Sequence, residues 1–262
     1  MDPRTLIREG KLPEALAALQ QEVRAKPADA KNRVFLFQLL SVLGDWDRAL
    51  SQLNVAAEMD PATLLMAQVC RPALACEALR AEVFAGRKTP LVLGEPQPWV
   101  AWMIEAMAAS AGGNTARAAE LRAKALDAAP AVAGSIDGQA FQWIADADSR
   151  LGPLLEAIVE GKYYWIPFSH IKRIDLEPPA DLRDLVWAPA RFTWVNKGQT
   201  VGLIPSRYAG SEDSSDSAIR LARRTDWTEG AGGEYRGLGQ RLLATDAGEF
   251  PLLQTRAVVF EG

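Results

Sequence analysis

The residue types that could carry out chemistry are few. One histidine, His170, rules out any site needing two imidazoles and leaves histidine-dependent catalysis to a single side chain. It follows Pro167-Phe168 between two strand-like runs, with no nucleophilic Ser or Cys in a recognisable setting, and reads as a structural hydrogen-bonder. Cys70 and Cys76, the only cysteines, lie six apart in a helical-looking stretch. In a reducing compartment they read as two packed thiols rather than a disulfide.

Three further constellations invite a chemical reading. Asp146-Ala147-Asp148 resembles paired carboxylates that hold a divalent cation, but the surrounding pattern reads as helix, where positions i and i+2 do not face each other. Capping, ion pairing with Arg150 or solvent exposure then accounts for the pair. Gly237-Leu238-Gly239-Gln240-Arg241 suggests a phosphate loop, yet it lacks both the third glycine of the dinucleotide fingerprint and a Gly-Lys-Ser/Thr end, and it leads into a strand. Arg207-Tyr208 and Arg223-Arg224 place cations near aromatic residues, suited to a carboxylate pocket or to forked pairing with carboxylates such as Asp181 and Asp184. The enzymatic alternative gathers Arg207, Arg241, Asp146 and Asp148 into one pocket for a phosphorylated or acidic small molecule. No constellation amounts to a catalytic proposal, and none calls for a metal or a cofactor.

Composition narrows the partners. The 262 residues carry a net charge of −4, with no Lys/Arg block longer than two, so a surface that tracks phosphates has little to be built from and nucleic acid is not expected. The N-terminal stretch from Met1 is broken by charges and contains neither a signal-like apolar region nor a membrane span, so a cytoplasmic location with no membrane contact is expected. With 48% hydrophobic residues there is ample material for a packed core.

The elements that must position these residues begin with a repeat. An offset of 34 superposes Gly10 on Gly44, Leu12 on Trp46, Ala15 on Ala49, Leu19 on Leu53 and Pro27 on Pro61. A Gly in a helix-helix turn, a small Ala five residues on and a Pro twelve further is how a tetratricopeptide-like unit reads. A third copy fits Gly113, Ala118, Ala125 and Pro130, and a degenerate helical unit is expected over Thr63 to Gly86. The stretch from Arg87 to Pro98, with Pro90, Gly94, Pro96 and Pro98, reads as a loop. Stacked helix pairs leave a curved inner surface made by the first helix of each pair. This places Val34, Gln38, Ser41, Met103 and Met107 on that face as candidate peptide-binding residues, or as side chains packed against the next helix or the second domain.

After Pro130 the texture changes, and five of the eight tryptophans lie beyond residue 138. Helices are expected at Gln139 to Arg150 and Leu154 to Glu160, followed by strands at Tyr163 to Phe168 and Ile171 to Leu176. Two hairpins follow, Leu185 to Val195 with Gln199 to Ile204, and Leu238 to Thr245 with Phe250 to Phe260. Gly210 to Ser217 and Gly230 to Gly239 read as surface loops. The expected class is α+β: a helical solenoid over residues 1–135, then a mostly antiparallel β domain with one or two helices over 136–262.

Several runs of the second half carry a family resemblance. They are Phe141-Gln142-Trp143-Ile144-Ala145-Asp146-Ala147-Asp148-Ser149-Arg150-Leu151-Gly152-Pro153, Gly161-Lys162-Tyr163-Tyr164-Trp165-Ile166-Pro167-Phe168 and Asp181-Leu182-Arg183-Asp184-Leu185-Val186-Trp187. Arg207-Tyr208, Thr225-Asp226-Trp227 and Gly237-Leu238-Gly239-Gln240-Arg241 complete the set. Together with the helical first half they resemble the ImpE/TagJ family of type VI secretion accessory proteins. The resemblance implies a tetratricopeptide-like domain followed by an α/β domain, the cytoplasm of a Gram-negative bacterium, no enzymatic activity and no cofactor. The partner it implies is the small contractile-sheath subunit, TssB, bound through its N-terminal helix, with an indirect link to sheath disassembly by the ATPase ClpV. A solenoid lacking catalytic groups agrees in kind with a receptor for a guest helix, which needs a preformed groove. The guest could equally dock on the tryptophan-rich second domain or between the domains.

Overall fold

The computed structural model describes residues 2–95, 97–230 and 232–261. Its first half is ordered by glycine. Helices α1 (Pro3–Arg8) and α2 (Leu12–Ala25), then α3 (Ala30–Val42) and α4 (Trp46–Met59), form two antiparallel hairpins. Gly10 and Gly44 sit at the turns with φ of +76° and +75°, a region an L side chain enters only with strain. Each turn closes in the same way. The Gly10 amide donates to Ile7 and the Lys11 amide to Leu6, as Gly44 does to Ser41 and Asp45 to Leu40, which satisfies the last carbonyls of the first helix. Ala15 and Ala49, matched by the 34-residue offset, are fully buried where the paired helices approach.

The segment expected to hold a degenerate helical unit is one 21-residue helix, α5 (Leu64–Phe84), with Pro72 in its interior. The proline-rich stretch after it contains β1 (Leu91–Val92); Pro96 lies outside the described residues. The third hairpin, α6 (Pro98–Ala111) and α7 (Thr115–Ala128), turns at Gly113 with the same pair of amide bonds, to Ser110 and Ala109.

The second half is built of β2 (Gly134–Ile136), β3 (Gln139–Phe141), β4 (Ile144–Asp146), β5 (Leu154–Val159), β6 (Lys162–Pro167), β7 (Ile171–Leu176), β8 (Trp187–Trp194) and β9 (Gln199–Pro205). A four-residue helix, α8 (Ser217–Arg220), precedes β10 (Thr225–Gly230), β11 (Glu234–Gly239), β12 (Leu242–Thr245), β13 (Gly248–Pro251) and β14 (Ala257–Phe260). The main sheet has nine strands in the order β1-β6-β5-β9-β8-β7-β14-β2-β3, antiparallel throughout except for β1 beside β6. Strands β13-β12-β4 and β10-β11 form two smaller sheets.

Three expectations are corrected. Residues 139–150 and 154–160 are not helical; they contain β3, β4 and β5. Strand β5 is buried along its whole length because both faces of the sheet are covered at this strand, so its apolar run carries no period-2 alternation to distinguish it from a helix turn. The last hairpin is β12 with β13 only; β14 crosses to the main sheet, between β7 and β2. Most of Gly230 to Gly239 is strand β11 rather than loop, with Ala231 outside the described residues.

Alternation along β8 shows how the halves meet. Trp187 joins a core shared with the helices, whereas Ala188, Ala190 and Phe192 face a second core closed by Ile136, Leu243 and Phe260. The shared core runs from Leu12 and Leu39 through Leu74 to Trp165 and Leu203, so one hydrophobic interior spans both halves.

Candidate functional site

The charged residues singled out in the sequence are drawn into the seam between the halves. Glu156 of β5 is fully buried and accepts from Arg80 of α5 at Nε (2.6 Å) and Nη2 (3.1 Å), from the Tyr163 hydroxyl (2.5 Å) and from Arg241. Although burial opposes ionisation, the Arg80 and Arg241 guanidiniums hold its carboxyl down to about 2. Arg241 also pairs with Asp146, whose carboxyl burial pushes up to about 6, with Arg241 opposing. Glu77 accepts from the Trp187 indole (2.7 Å), and the same burial raises it. The network ties α5 to four strands.

Arginines of the second half meet the ends of the first helices of the N-terminal hairpins. Arg207 donates to the Val42 carbonyl at 2.8 Å and to that of Ser41 at 3.4 Å, at the C-terminus of α3. Arg223 donates to Ile7 and Arg8, both at 2.9 Å, at the C-terminus of α1. Each cation sits at a helix C-terminus, where the last carbonyls concentrate negative charge; Ile7 and Ser41 already accept an amide of the turn and take the arginine as a second donor. Burial draws Arg207 down to about 10, with the Glu212 and Glu77 carboxylates opposing. At the third hairpin, Glu234 and Arg236 of β11 meet Ser110 at the end of α6, and Glu234 also pairs with Arg122 of α7.

The glycine-arginine run has a structural account as well. The Gly237 amide donates to Asp148 (2.9 Å), and a Cβ at 237 would overlap the Tyr208 ring. The Gly239 amide donates to Ser211 Oγ (2.8 Å) at a φ of +90°. The close backbone approach is thus to the protein itself. Asp148 is forked onto Arg150 at 2.9 and 2.5 Å, and its amide donates to Asp146 (2.9 Å). The enzymatic reading brings Arg241 and Asp146 together as supposed, but Arg207, Arg241, Asp146 and Asp148 are all buried and spent on protein partners, and none lines either cavity described below. His170 Nδ1 donates to the Leu93 carbonyl (2.8 Å) and pins the strand-like stretch after α5. Cys70 and Cys76 are free, buried thiols. Among the described residues no three His, Cys, Asp or Glu side chains gather as metal ligands, and no helix is long and apolar enough to cross a membrane.

The inner helical face is covered by the second half. Gln38 is buried and accepts from the Leu182 amide (3.3 Å), the Ser41 hydroxyl donates to Phe37 (2.9 Å), and Val34 is half-buried. Met103 and Met107 are buried, Met107 against a 420 Å³ cavity between α5 and α6. Four of the five candidate residues are therefore packed inside, and an incoming helix could reach them only by parting the halves.

The larger opening lies elsewhere. Helices cover the sheet face only in part, leaving a groove of about 1190 Å³ between the N-terminal half of α5 and strands β7, β8 and β9. Leu65, Val69 and Pro72 form one wall; Val201, Leu203 and Pro189 form the floor; the 3-10 turn Leu182–Leu185 and the end of β7 form the other side. Leu65 (77%), Val69 (52%) and Val201 (71%) are exposed there. Large apolar side chains held apart by a rigid frame are what a binding groove offers. Docking between the domains is one of the alternatives the sequence leaves open, but its lining residues are not among the candidates: over Thr63 to Gly86 the sequence indicates only a degenerate helical unit.

Fold and groove together define a class: an array of helical hairpins clamped to an antiparallel sheet, presenting an apolar groove at their junction. The ImpE protein family model matches residues 138–259. Over 256 residues the chain is 50% identical to the type VI secretion system accessory component TagJ of Pseudomonas aeruginosa, covering 98% of this chain and 90% of that protein. The chain belongs to the ImpE family. The crystal structure of protein VPA1032 from Vibrio parahaemolyticus shares the fold, with a TM-score of 0.90 over 99% of this chain and 97% of that one at 24% identity.

Proposed function

We propose that this protein is a non-enzymatic accessory component of a type VI secretion system that works in the cytoplasm as a helix receptor. Its partner in this reading is the small sheath subunit, TssB-like, whose N-terminal amphipathic helix lies in the groove between α5 and the sheet. Through that subunit the protein is linked to ClpV-driven handling of the sheath. The observation that carries the reading is the apolar groove with Leu65, Val69 and Val201 uncovered in a chain half-identical to an accessory component of that system. Apolar anchors at successive turns of a guest helix need such a preformed surface. The buried interdomain charges support the reading by holding the two sides of the groove at fixed separation, which lowers the ordering cost of binding.

Calorimetric titration with a peptide of the sheath subunit's first helix tests it. Saturable binding at micromolar concentration is expected, and Val69→Glu or Val201→Glu should weaken it at least tenfold. A flat titration at low and moderate salt would reject the reading.

A further inference from the structure

The groove also carries a charge pattern. Register across β5, β9, β8 and β7 places Val201 opposite Arg191 and Arg191 opposite Asp175 on the helix-facing side. Glu160 occupies the turn beyond β5 at one margin, and Glu177 follows β7 at the other. Both line the groove and are exposed. Among the described residues neither forms an ion pair, whereas Arg183 is engaged with Asp181 and Asp184, and Asp175 with Arg173. Glu160 is held in place by a turn in which it and Gly161 both have positive φ. The apolar strip is thus flanked at its two margins by exposed carboxylates outside any ion pair among the described residues, while Arg191 lies on the floor beside Asp175.

We infer that the groove selects an amphipathic helix whose apolar stripe is flanked by Lys or Arg on both sides, read by Glu160 and Glu177. The inference rests on the helix-receptor reading and adds its charge specificity. Unlike charges across an interface margin favour the right partner, and like charges exclude wrong ones. An acidic helix of the same apolar pattern would place carboxylates against Glu160 and Glu177. A second copy of this acidic chain is disfavoured by the same complementarity.

Competition against the labelled first helix of the sheath subunit tests the inference. Two synthetic peptides share one Leu stripe at i, i+3, i+4 and i+7, one flanked by Lys and the other by Glu. Each partly exposed ion pair contributes roughly a factor of two to five. The Lys peptide should therefore compete about tenfold better at low salt, and the preference should shrink to about twofold in the double variant Glu160→Gln/Glu177→Gln. Equal competition, or a preference that survives the double variant, overturns the inference while native-helix binding leaves the receptor reading standing. Absence of native-helix binding removes the reading itself. A protein that sediments as a dimer and becomes monomeric with Val69→Glu would assign the groove to a second copy and overturn both.

Discussion

Replacing Glu156 by Gln should be among the most damaging conservative changes available to this protein. Four donors converge on its two oxygens, from Arg80, Tyr163 and Arg241, in a site with no solvent contact. A glutamine presents one acceptor and an NH2 group to the same donors, leaving two buried guanidiniums short of a counter-charge. Breaking a buried pair from one side costs about 3–5 kcal/mol. The carboxyl's own position gives a similar figure: about 2 in the fold against an ordinary 4.5 corresponds to about 3 kcal/mol. Against a total stability of about 5–15 kcal/mol this is a large fraction, and it lowers Tm by about 6–10 °C. The assay is urea unfolding followed by tryptophan fluorescence, since Trp165 and Trp187 are buried at the seam. The pH dependence supplies a second signature. A depressed carboxyl contributes stability that is present above its unfolded pKa and is lost as pH falls from about 4.5 toward 2. That loss should be visible in the native protein and diminished in the variant. A cost below 1 kcal/mol together with an unchanged acid limb would refute the view that this network joins the halves.

Asp146→Asn should cost less than Glu156→Gln at pH 7, by about 2 kcal/mol, because burial has already raised Asp146 to about 6 and Arg241 keeps Glu156; parallel urea titrations compare them. Gly237→Ala should lose about 2–4 kcal/mol through overlap with the Tyr208 ring, checked by thermal melts, and a melt within 1 °C of the native protein would contradict the packing. Arg207→Ala should cost more than Arg223→Ala, about 2–3 kcal/mol against about 1, since Arg207 serves buried carbonyls and Arg223 serves a more exposed end; chemical denaturation ranks them. Val69→Glu and Val201→Glu should leave Tm within about 2 °C, because both side chains are more than half exposed, whereas Met103→Glu should unfold the protein at or near room temperature by burying a charge.

The helical half was legible because its determinants are local. The Gly10, Gly44 and Gly113 turns need positive φ, the small Ala15 and Ala49 permit close approach, and the prolines after each hairpin stop the chain, so a 34-residue offset in the sequence marks the repeat directly. The hairpin of β8 and β9 and the strands β6 and β7 were visible for the same reason: alternation and turn residues lie within a dozen positions. Likewise the motif runs that carried the family resemblance lie in contiguous sequence. What tertiary structure alone decided is everything that depends on what covers a face. Strand β5 reads as a helix turn until it is seen to be covered on both sides. Met103, Ser41 and Gln38 pointed toward a receptor surface because a helical array by itself leaves that surface open, and only the second half fills it. Arg207, Arg241 and Asp146 looked like chemistry because buried and solvent-facing charges are written with the same residues; the partners that decide the matter come from as far as 95 and 166 positions away. The groove with Leu65, Val69 and Val201 exists because α5 overhangs a sheet that the helices do not fully cover, and overhang is a relation between elements that no local pattern encodes.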